Sequence, residues 1–217
     1  IPMGSGWVDP AQNPNLKTRV FATFENPNLL AEYLIMIFPV SLGLILYNNN
    51  IFRRIFFAIL FFTILICIGL TYSRGGWLGL MFGTLIFIIL INKKAILGLI
   101  PISALGIVFM PQSIANRIMT IGSLQDSSNF YRFNLWTKSL EILKDFWYSG
   151  VGIGYIPFQK IVPIYFKSMA PYHTHNTYLQ LAIELGIIGI IVFILFIYVL
   201  FKMEFAILSN SKSKFIR

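Results

Sequence analysis

Charged side chains are scarce in this sequence. Only 12% of its 217 residues are charged, whereas 57% are hydrophobic, and the mean hydropathy is +0.75. A soluble domain of this length could not bury so much apolar surface, so the composition excludes an ordinary soluble fold. The sequence therefore predicts an integral membrane protein.

Cysteine and histidine are scarcer still. Cys67 is the one cysteine, so no intramolecular disulfide can form, and we interpret it as a small core residue. His173 and His175 are the two histidines, and no cysteine or aspartate lies near them at metal-ligand spacing. We therefore predict neither a metal site nor a cofactor.

Acidic residues number eight against 17 lysines and arginines, which gives a net charge of +9. The basic residues are scattered through predicted loops and form no basic and aromatic face, so we expect no nucleic-acid partner. Orientation in the bilayer and attraction to anionic lipid or phosphate explain the charge better. No basic and apolar leader precedes the first apolar segment, so we expect no signal peptide and interpret the chain as the C-terminal part of a longer protein.

Long apolar segments predict an all-α, polytopic membrane protein with about five transmembrane helices. The predicted spans cover residues 29–47, 55–72, 77–91, 95–110 and 177–201, which form a single membrane domain with an outer segment (1–28), a long outer loop (111–176) and a basic tail (202–217). Asn26 and Pro27 predict the start of the first span, and Pro39 predicts a kink within it.

The basic residues of the short loops predict the orientation of the chain. If five spans alternate, the basic pairs at 53–54 and 93–94 fall on the same side as the basic tail. That side is cytoplasmic by the positive-inside rule. The Arg74 turn and the loop 111–176 are then extracytoplasmic.

The loop 111–176 is predicted to contain an amphipathic helix over residues 129–147. Apolar side chains recur there at spacings of three and four residues, namely Phe133, Trp136, Leu140, Leu143 and Trp147. We expect this helix to lie along the membrane surface or across the ends of the spans. We interpret the glycine-rich residues 150–154 as a flexible turn, because no strand precedes them as a nucleotide loop would require.

His175 is the candidate catalytic residue. It lies where the outer loop meets the last span, and its imidazole ordinarily titrates near neutrality. Neighbouring arginines would disfavour its charged form and keep it a neutral base at pH 7. The alternative is an interfacial histidine bonded to a backbone carbonyl.

The candidate substrate-binding residues are Arg74, Arg132, Arg19 and Asn176. A guanidinium group fits phosphate oxygens with a planar set of donors and keeps its charge. Each arginine also has a structural interpretation: an interface anchor for Arg74, a headgroup contact or ion pair for Arg132, and a brace of the first span for Arg19. Glu184, within the last span, is expected to brace an arginine or a polar residue rather than touch the reacting atoms.

Several stretches in one order resemble a known family. They are residues 19–28, 71–79, 134–136, 175–180 and 184–186. Together they resemble the O-antigen ligase and O-antigen polymerase family of bacterial membrane proteins. The resemblance implies metal-independent glycosyl transfer on the outer face of the cytoplasmic membrane, from an undecaprenyl-diphosphate-linked glycan to a hydroxyl of a glycan or lipid acceptor. It also implies that Arg74 and Arg132 hold the diphosphate and that His175 activates the acceptor.

Three alternatives remain open. Some relatives are described as inorganic carbon transporters, and residues 6–10 resemble those, so bicarbonate transport is the first alternative. A non-catalytic membrane scaffold is the second, and it predicts no requirement for His175. A peptidoglycan-polymerase type of enzyme is the third, in which Asp126 or Asp145 would matter more than His175.

Overall fold

The structure is a computed structural model that describes residues 3–4, 18–92, 94, 97–98, 108, 110–167 and 171–210. Four helices in this part of the chain are long and apolar enough to cross a membrane: Pro27–Tyr47, Ile51–Thr71, Arg74–Ile91 and Thr177–Asn210. The protein is thus helical and multi-pass. The predicted fourth span, 95–110, lies largely outside the described residues. The chain divides into two compact units, Ile1–Ile121 and Gly122–Arg217.

The elements whose bounds the structure describes in the first unit include three long helices and a short one. They are β1 (Met3–Gly4), β2 (Arg19–Val20), a 3-10 helix (Ala22–Phe24), α1 (Pro27–Tyr47), α2 (Ile51–Thr71), α3 (Arg74–Asn92) and α4 (Gln112–Met119). The two short strands pair antiparallel, with Met3 opposite Val20. Phe38 of α1 packs with Ile64 and Ile68 of α2 in the buried core of this unit.

The predicted start of α1 is confirmed. The side chain of Asn26 accepts a hydrogen bond from the backbone N–H of Asn28 at 2.8 Å, and Pro27 is the first helical residue. Asn supplies an acceptor for an N–H that has no partner within the helix, and Pro has no N–H to satisfy. Pro39 lies inside α1, and the kink predicted there stays a prediction.

Helices α2 and α3 each begin earlier than predicted. Asn50 caps α2 by accepting hydrogen bonds from the N–H groups of Phe52 and Arg53, at 3.0 and 3.2 Å, so the helix starts at Ile51 rather than at residue 55. Helix α3 starts at Arg74 rather than at residue 77. The turn predicted at residues 73–76 is therefore wrong for Arg74, Gly75 and Gly76, which are helical, and the turn lies instead at Tyr72, with a φ of 50°, and Ser73.

The described residues of the second unit form three helices, α5 (Ser127–Asp145), α6 (Tyr155–Tyr165) and α7 (Thr177–Asn210). Ile142, Phe158, Val162 and Ile183 form its buried core, with at least one residue from each helix. The predicted loop 111–176 thus holds α4 and α6 in addition to the predicted amphipathic helix. Asp126 caps α5, because its side chain accepts from the N–H of Asn129 at 3.1 Å, so this helix starts two residues before the predicted position.

Helix α5 packs only in part through its predicted apolar stripe, since Leu143 packs against the buried core of the second unit. Its buried residues are Leu135, Ser139 and Ile142, whereas Phe133, Leu140 and Trp147 of the stripe are about half exposed or more. A second apolar face is therefore left outside the core of this unit, consistent with the expected place of the helix at a membrane surface.

Helix α7 is longer than the predicted span and is broken at Gly186. It extends to Asn210 rather than to residue 201, and Gly186 interrupts it with φ 67° and ψ −171°. The loop after α5 occupies the break: the N–H of Ile187 donates to Trp147 at 2.7 Å, and those of Val151 and Gly152 donate to Ile183 and Glu184 at 2.8 and 3.1 Å. Residues 150–154 are thus not a free turn, since backbone hydrogen bonds join them to α7.

Candidate functional site

Arg74 is the first residue of α3 and is half-buried. One of its terminal nitrogens, Nη1, donates to both the carbonyl oxygen and the hydroxyl of Thr120, at 3.0 and 2.9 Å. Thr120 follows directly after α4, so the segment that opens the predicted outer loop fixes one edge of the guanidinium. These two bonds fix Nη1 against that segment, and anion binding by Arg74 stays a prediction.

Close packing holds the backbone around Arg74. A Cβ built at Gly76 would lie only 2.8 Å from the Cβ of Ala31, so α3 approaches α1 where only glycine fits. The N–H of Gly76 donates to the hydroxyl of Ser73 at 3.2 Å, which caps the start of α3. Gly76 therefore allows the close approach that positions the start of α3.

Arg19 is buried and braces two helix ends. Its Nε donates to the carbonyl oxygen of Thr71 at 2.7 Å, and one terminal nitrogen donates to the side-chain oxygen of Asn28 at 3.0 Å. Arg19 is only 5% exposed. The bracing interpretation is confirmed by these bonds, and substrate contact by Arg19 stays a prediction.

The segment that carries His175 is organised by Thr174, which is fully buried. The carbonyl oxygen of Thr174 accepts from the indole N–H of Trp136 at 2.8 Å, which ties the segment to α5. Its hydroxyl donates to the carbonyl oxygen of Asn176 at 2.8 Å. His175 lies between these two residues with a φ of 55°, a left-handed conformation that non-glycine residues rarely adopt.

The imidazole of His175 lies among aromatic rings and positive charge. Its ring centroid is 4.2 Å from that of His173 and 6.5 Å from that of Tyr131. Partial removal of the ring from water, followed by the positive charges of His173 and Arg132, lowers the pKa of His175 from 6.5 to about 4. Within the described part of the chain, the residue keeps contact with solvent.

This pKa bears out the prediction that His175 is neutral at pH 7, although burial contributes more to the shift than the arginine does. The structure also brings Arg132 and His175 into one electrostatic environment within the second unit. Arg132 lies in the first part of α5 and is half-buried.

Asn176 caps α7. Its side-chain oxygen accepts from the backbone N–H of Leu179 at 3.1 Å, and its own N–H donates to the hydroxyl of Thr174 at 3.3 Å. The cap explains why α7 begins directly after the His175 segment. Substrate binding by Asn176 stays a prediction.

Glu184 braces polar groups, as predicted. One carboxylate oxygen accepts from the backbone N–H of Gly154 at 3.0 Å, and the other accepts from the side-chain amide of Gln180 at 2.7 Å. The side-chain oxygen of Gln180 in turn accepts from the N–H of Thr174 at 2.8 Å. Gln180 is not among the predicted site residues, although its position within 175–180, one helical turn before Glu184, is a sequence signal for it.

The two aspartates of the peptidoglycan-polymerase alternative have structural partners. Asp126 is 5% exposed and caps α5. Asp145 accepts a hydrogen bond from the hydroxyl of Tyr165 at 2.5 Å, and this bond raises the pKa of Tyr165 above its ordinary value of 10.0. Within the described residues, no group of three or more His, Cys, Asp or Glu side chains could hold a metal ion, and we assign no residue to one.

Comparison with known proteins gives a family match. The family model described as O-antigen ligase matches residues 58–194, which is more than half of the chain. The matched range includes Arg74, Arg132 and His175, and Arg19 lies before it. No curated protein and no solved structure matches the chain.

Proposed function

The chain belongs to the O-antigen ligase family, and from that premise we propose that it transfers a glycan from an undecaprenyl-diphosphate carrier to an acceptor hydroxyl at the outer face of the cytoplasmic membrane. Family membership supports a glycosyl-transfer role in polysaccharide assembly, as an enzyme acting on lipid-linked glycans. What we propose beyond family membership is the identity of the donor, the acceptor group, the side of the membrane and the role of each residue.

The observation that carries the proposal is the environment of His175. A base must be unprotonated before it can take a proton, and a pKa of about 4 keeps this imidazole neutral at pH 7. The low pKa also makes free His175 a weak base. The negative charge of a bound diphosphate would offset the positive charge of Arg132 and raise the proton affinity of the imidazole once the donor is in place.

In the proposed step, an imidazole nitrogen of His175 takes the proton of the acceptor hydroxyl. The acceptor oxygen forms a bond to the anomeric carbon of the donor sugar, and the bond from that carbon to the diphosphate oxygen breaks. The electron pair of the broken bond stays on the diphosphate. Attack in line with the leaving group inverts the anomeric centre.

Arg74 and Arg132 are assigned to the leaving diphosphate. Its negative charge grows as the glycosidic bond breaks, so fixed positive groups stabilise the transition state more than the ground state. The bonds from Arg74 to Thr120 support this role, because a guanidinium group that is already held in place reorganises little during the reaction.

The break in α7 favours an enzyme over a conduit. Transporters use broken helices to present free backbone groups to an ion or substrate. Here the carbonyl groups of Ile183 and Glu184 and the N–H of Ile187 bond to the loop of residues 147–152. The break is thus filled by the protein's own backbone, which is the arrangement expected for a fixed support.

The test is transfer by the purified full-length protein reconstituted in liposomes with an undecaprenyl-diphosphate-linked glycan and an acceptor. Release of undecaprenyl diphosphate and formation of the new glycoside are measured for the wild type, His175→Ala and Arg132→Ala. We expect His175→Ala to lower kcat by about 100-fold or more and Arg132→Ala to raise the donor KM. Arg53→Ala, which changes an exposed arginine at the start of α2, is the control and should behave as the wild type.

An unchanged kcat in His175→Ala would reject this residue as the base. An absence of carrier release by the wild type under the same conditions would reject the transfer reaction.

A further inference from the structure

We propose that Gln180 and Glu184 are positioning residues that hold His175 for catalysis through one directional chain of hydrogen bonds. The inference rests on the proposed role of His175 as the base. It adds a function to two side chains that do not touch the reacting atoms in the proposed reaction.

The chain has three links and runs along one side of α7. The backbone N–H of Thr174 donates to Oε1 of Gln180 at 2.8 Å, and Nε2 of Gln180 donates to Oε1 of Glu184 at 2.7 Å. Oε2 of Glu184 accepts from the backbone N–H of Gly154 at 3.0 Å. The chain of bonds therefore connects the residue before His175 to the glycine that directly precedes α6.

The direction of every bond in this chain is forced. Both ends are backbone N–H groups, which can only donate, so the side chains between them must supply acceptors at both ends. A carboxylate at 184 accepts from two sides, and this turns the amide of Gln180 so that its oxygen faces Thr174. An amide at 184 would carry two donors on one arm and could not accept from both neighbours.

The chain matters for His175 because its backbone needs support. A φ of 55° is uncommon for a residue other than glycine, and such conformations persist only where the surroundings over-determine them. The surroundings here are the bonds of Thr174 to Gln180, to Trp136 and to Asn176. Weakening the bond to Gln180 would allow the segment to relax and move the imidazole away from the acceptor.

The decisive variant is Glu184→Gln, tested in the reconstituted full-length protein. The introduced amide must point one of its own N–H groups towards the N–H of Gly154 or towards Nε2 of Gln180. In the second case the amide of Gln180 rotates, so that its NH2 group faces the N–H of Thr174 and the bond between them is lost. We expect kcat to fall by roughly 10- to 100-fold. The donor KM should stay near the wild-type value, because the arginines assigned to the diphosphate are unchanged.

The double variant Gln180→Glu with Glu184→Gln reverses the two groups and restores the direction of the chain. The carboxylate at 180 accepts from Thr174 and from the introduced amide, whose oxygen accepts from Gly154. We expect most of the lost kcat to return. A role in stability alone predicts instead that the folded fraction of Glu184→Gln keeps the wild-type kcat.

Glu141→Gln is the matched control. Glu141 lies on α5 and is 43% exposed, with its carboxylate bonded to Lys138, so the same chemical change occurs outside the chain. Its kcat should equal that of the wild type. Thermal unfolding of all variants identifies any that fail to fold. If the double variant does not fold, Gln180→Ala is tested in its place. Its kcat is expected to fall while its donor KM stays constant.

Amide hydrogen exchange of residues 173–180 gives a readout that does not depend on activity. Exchange should rise in Glu184→Gln and return towards the wild-type rate in the double variant. The inference is overturned if folded Glu184→Gln keeps full kcat, or if the folded double variant stays as slow as the single one. If His175→Ala leaves transfer intact, the proposed function fails instead, and the exchange rates still decide whether the chain holds this segment.

Discussion

Replacing Gly186 by alanine should strongly destabilise the second unit. The φ of 67° and ψ of −171° at this residue fall in a region that is essentially restricted to glycine. A Cβ at this position would lie 2.3 Å from the carbonyl oxygen of Tyr148 and 2.9 Å from the backbone nitrogen of Gly150. Both atoms belong to the backbone, so no side-chain rotation can relieve the contact.

The cost has two parts. Holding alanine in this conformation costs about 1–3 kcal/mol. Moving the loop away lengthens the three backbone bonds that Ile187, Val151 and Gly152 donate across the break, each with a net contribution of about 0.5–1.5 kcal/mol. With strain and partial loss of these bonds together, we expect the free energy of unfolding to fall by about 3 kcal/mol, which is roughly 100-fold in the unfolding equilibrium.

Gly83→Ala is the matched control. Gly83 lies inside α3, and a Cβ there would meet nothing within 4 Å. Alanine favours a helix interior over glycine by about 1 kcal/mol, so this variant should be as stable as the wild type or more stable.

Both variants are compared by titrating the protein in mild detergent with sodium dodecyl sulfate and following helicity by circular dichroism. If Gly186→Ala unfolds at the same denaturant fraction as Gly83→Ala, the break in α7 is not held by the loop as described. A change in the slope of the transition without a change in its midpoint would contradict the same claim.

Four further predictions follow from the described contacts. Burial, His173 and Arg132 lower the pKa of His175 to about 4. The value of kcat/KM should therefore stay level from pH 7 to about 5 and fall towards pH 4. A fall centred near pH 6.5 would mean that the pKa of His175 is not lowered. The unfolded chain would bind this proton first, so the same shift should lower the stability of the fold as pH falls from 6.5 towards 4. Arg74→Lys should retain part of the activity with a donor KM raised about tenfold, because one ammonium group cannot bond Thr120 and two phosphate oxygens in one plane; full activity would reject a bidentate role. The hydroxyl of Ser139 is buried without a hydrogen-bond partner in the described part of the chain. Ser139→Ala should therefore leave the free energy of unfolding unchanged or raise it by up to about 1 kcal/mol. A decrease of about 1 kcal/mol in the detergent titration would show that the hydroxyl is bonded.

The transmembrane helices are predictable because apolar runs of sufficient length are a local property of the sequence. Their starts are less predictable where a helix begins in polar residues. Asn26 is a local cap and is recognisable, whereas the start of α3 at Arg74 depends on the packing of Gly76 against Ala31, which lies 45 residues earlier. Helix α6 escapes prediction because Pro157 and Pro163 make its sequence resemble a loop.

The break in α7 could not be predicted from its own neighbourhood. Gly186 is flanked by leucine and isoleucine, as an ordinary glycine in a transmembrane helix would be. The break requires the loop at residues 147–152, about 35 residues earlier, and only tertiary structure brings the two together.

The candidate site is predictable in its residue types and less so in its supports. His175 and Asn176 are recognisable where a polar loop enters a span, and a bracing role is expected for Glu184 because a carboxylate in a span needs a partner. The bonds from Trp136 to Thr174 and from Thr174 to Gln180 depend on how α5 and α7 pack. Spacing along the chain contains no information about that packing.

The fate of the lipid-linked donor in cells tests the proposed glycosyl transfer most directly. The full-length gene is expressed as wild type, His175→Ala, Arg74→Ala and the control Arg53→Ala in a host that lacks its own ligase or polymerase, and surface glycan is compared with accumulated donor. We predict that His175→Ala and Arg74→Ala lose surface glycan while the donor accumulates, and that Arg53→Ala matches the wild type. Unchanged surface glycan in the first two variants, with a fall in bicarbonate uptake, would contradict glycosyl transfer and favour transport.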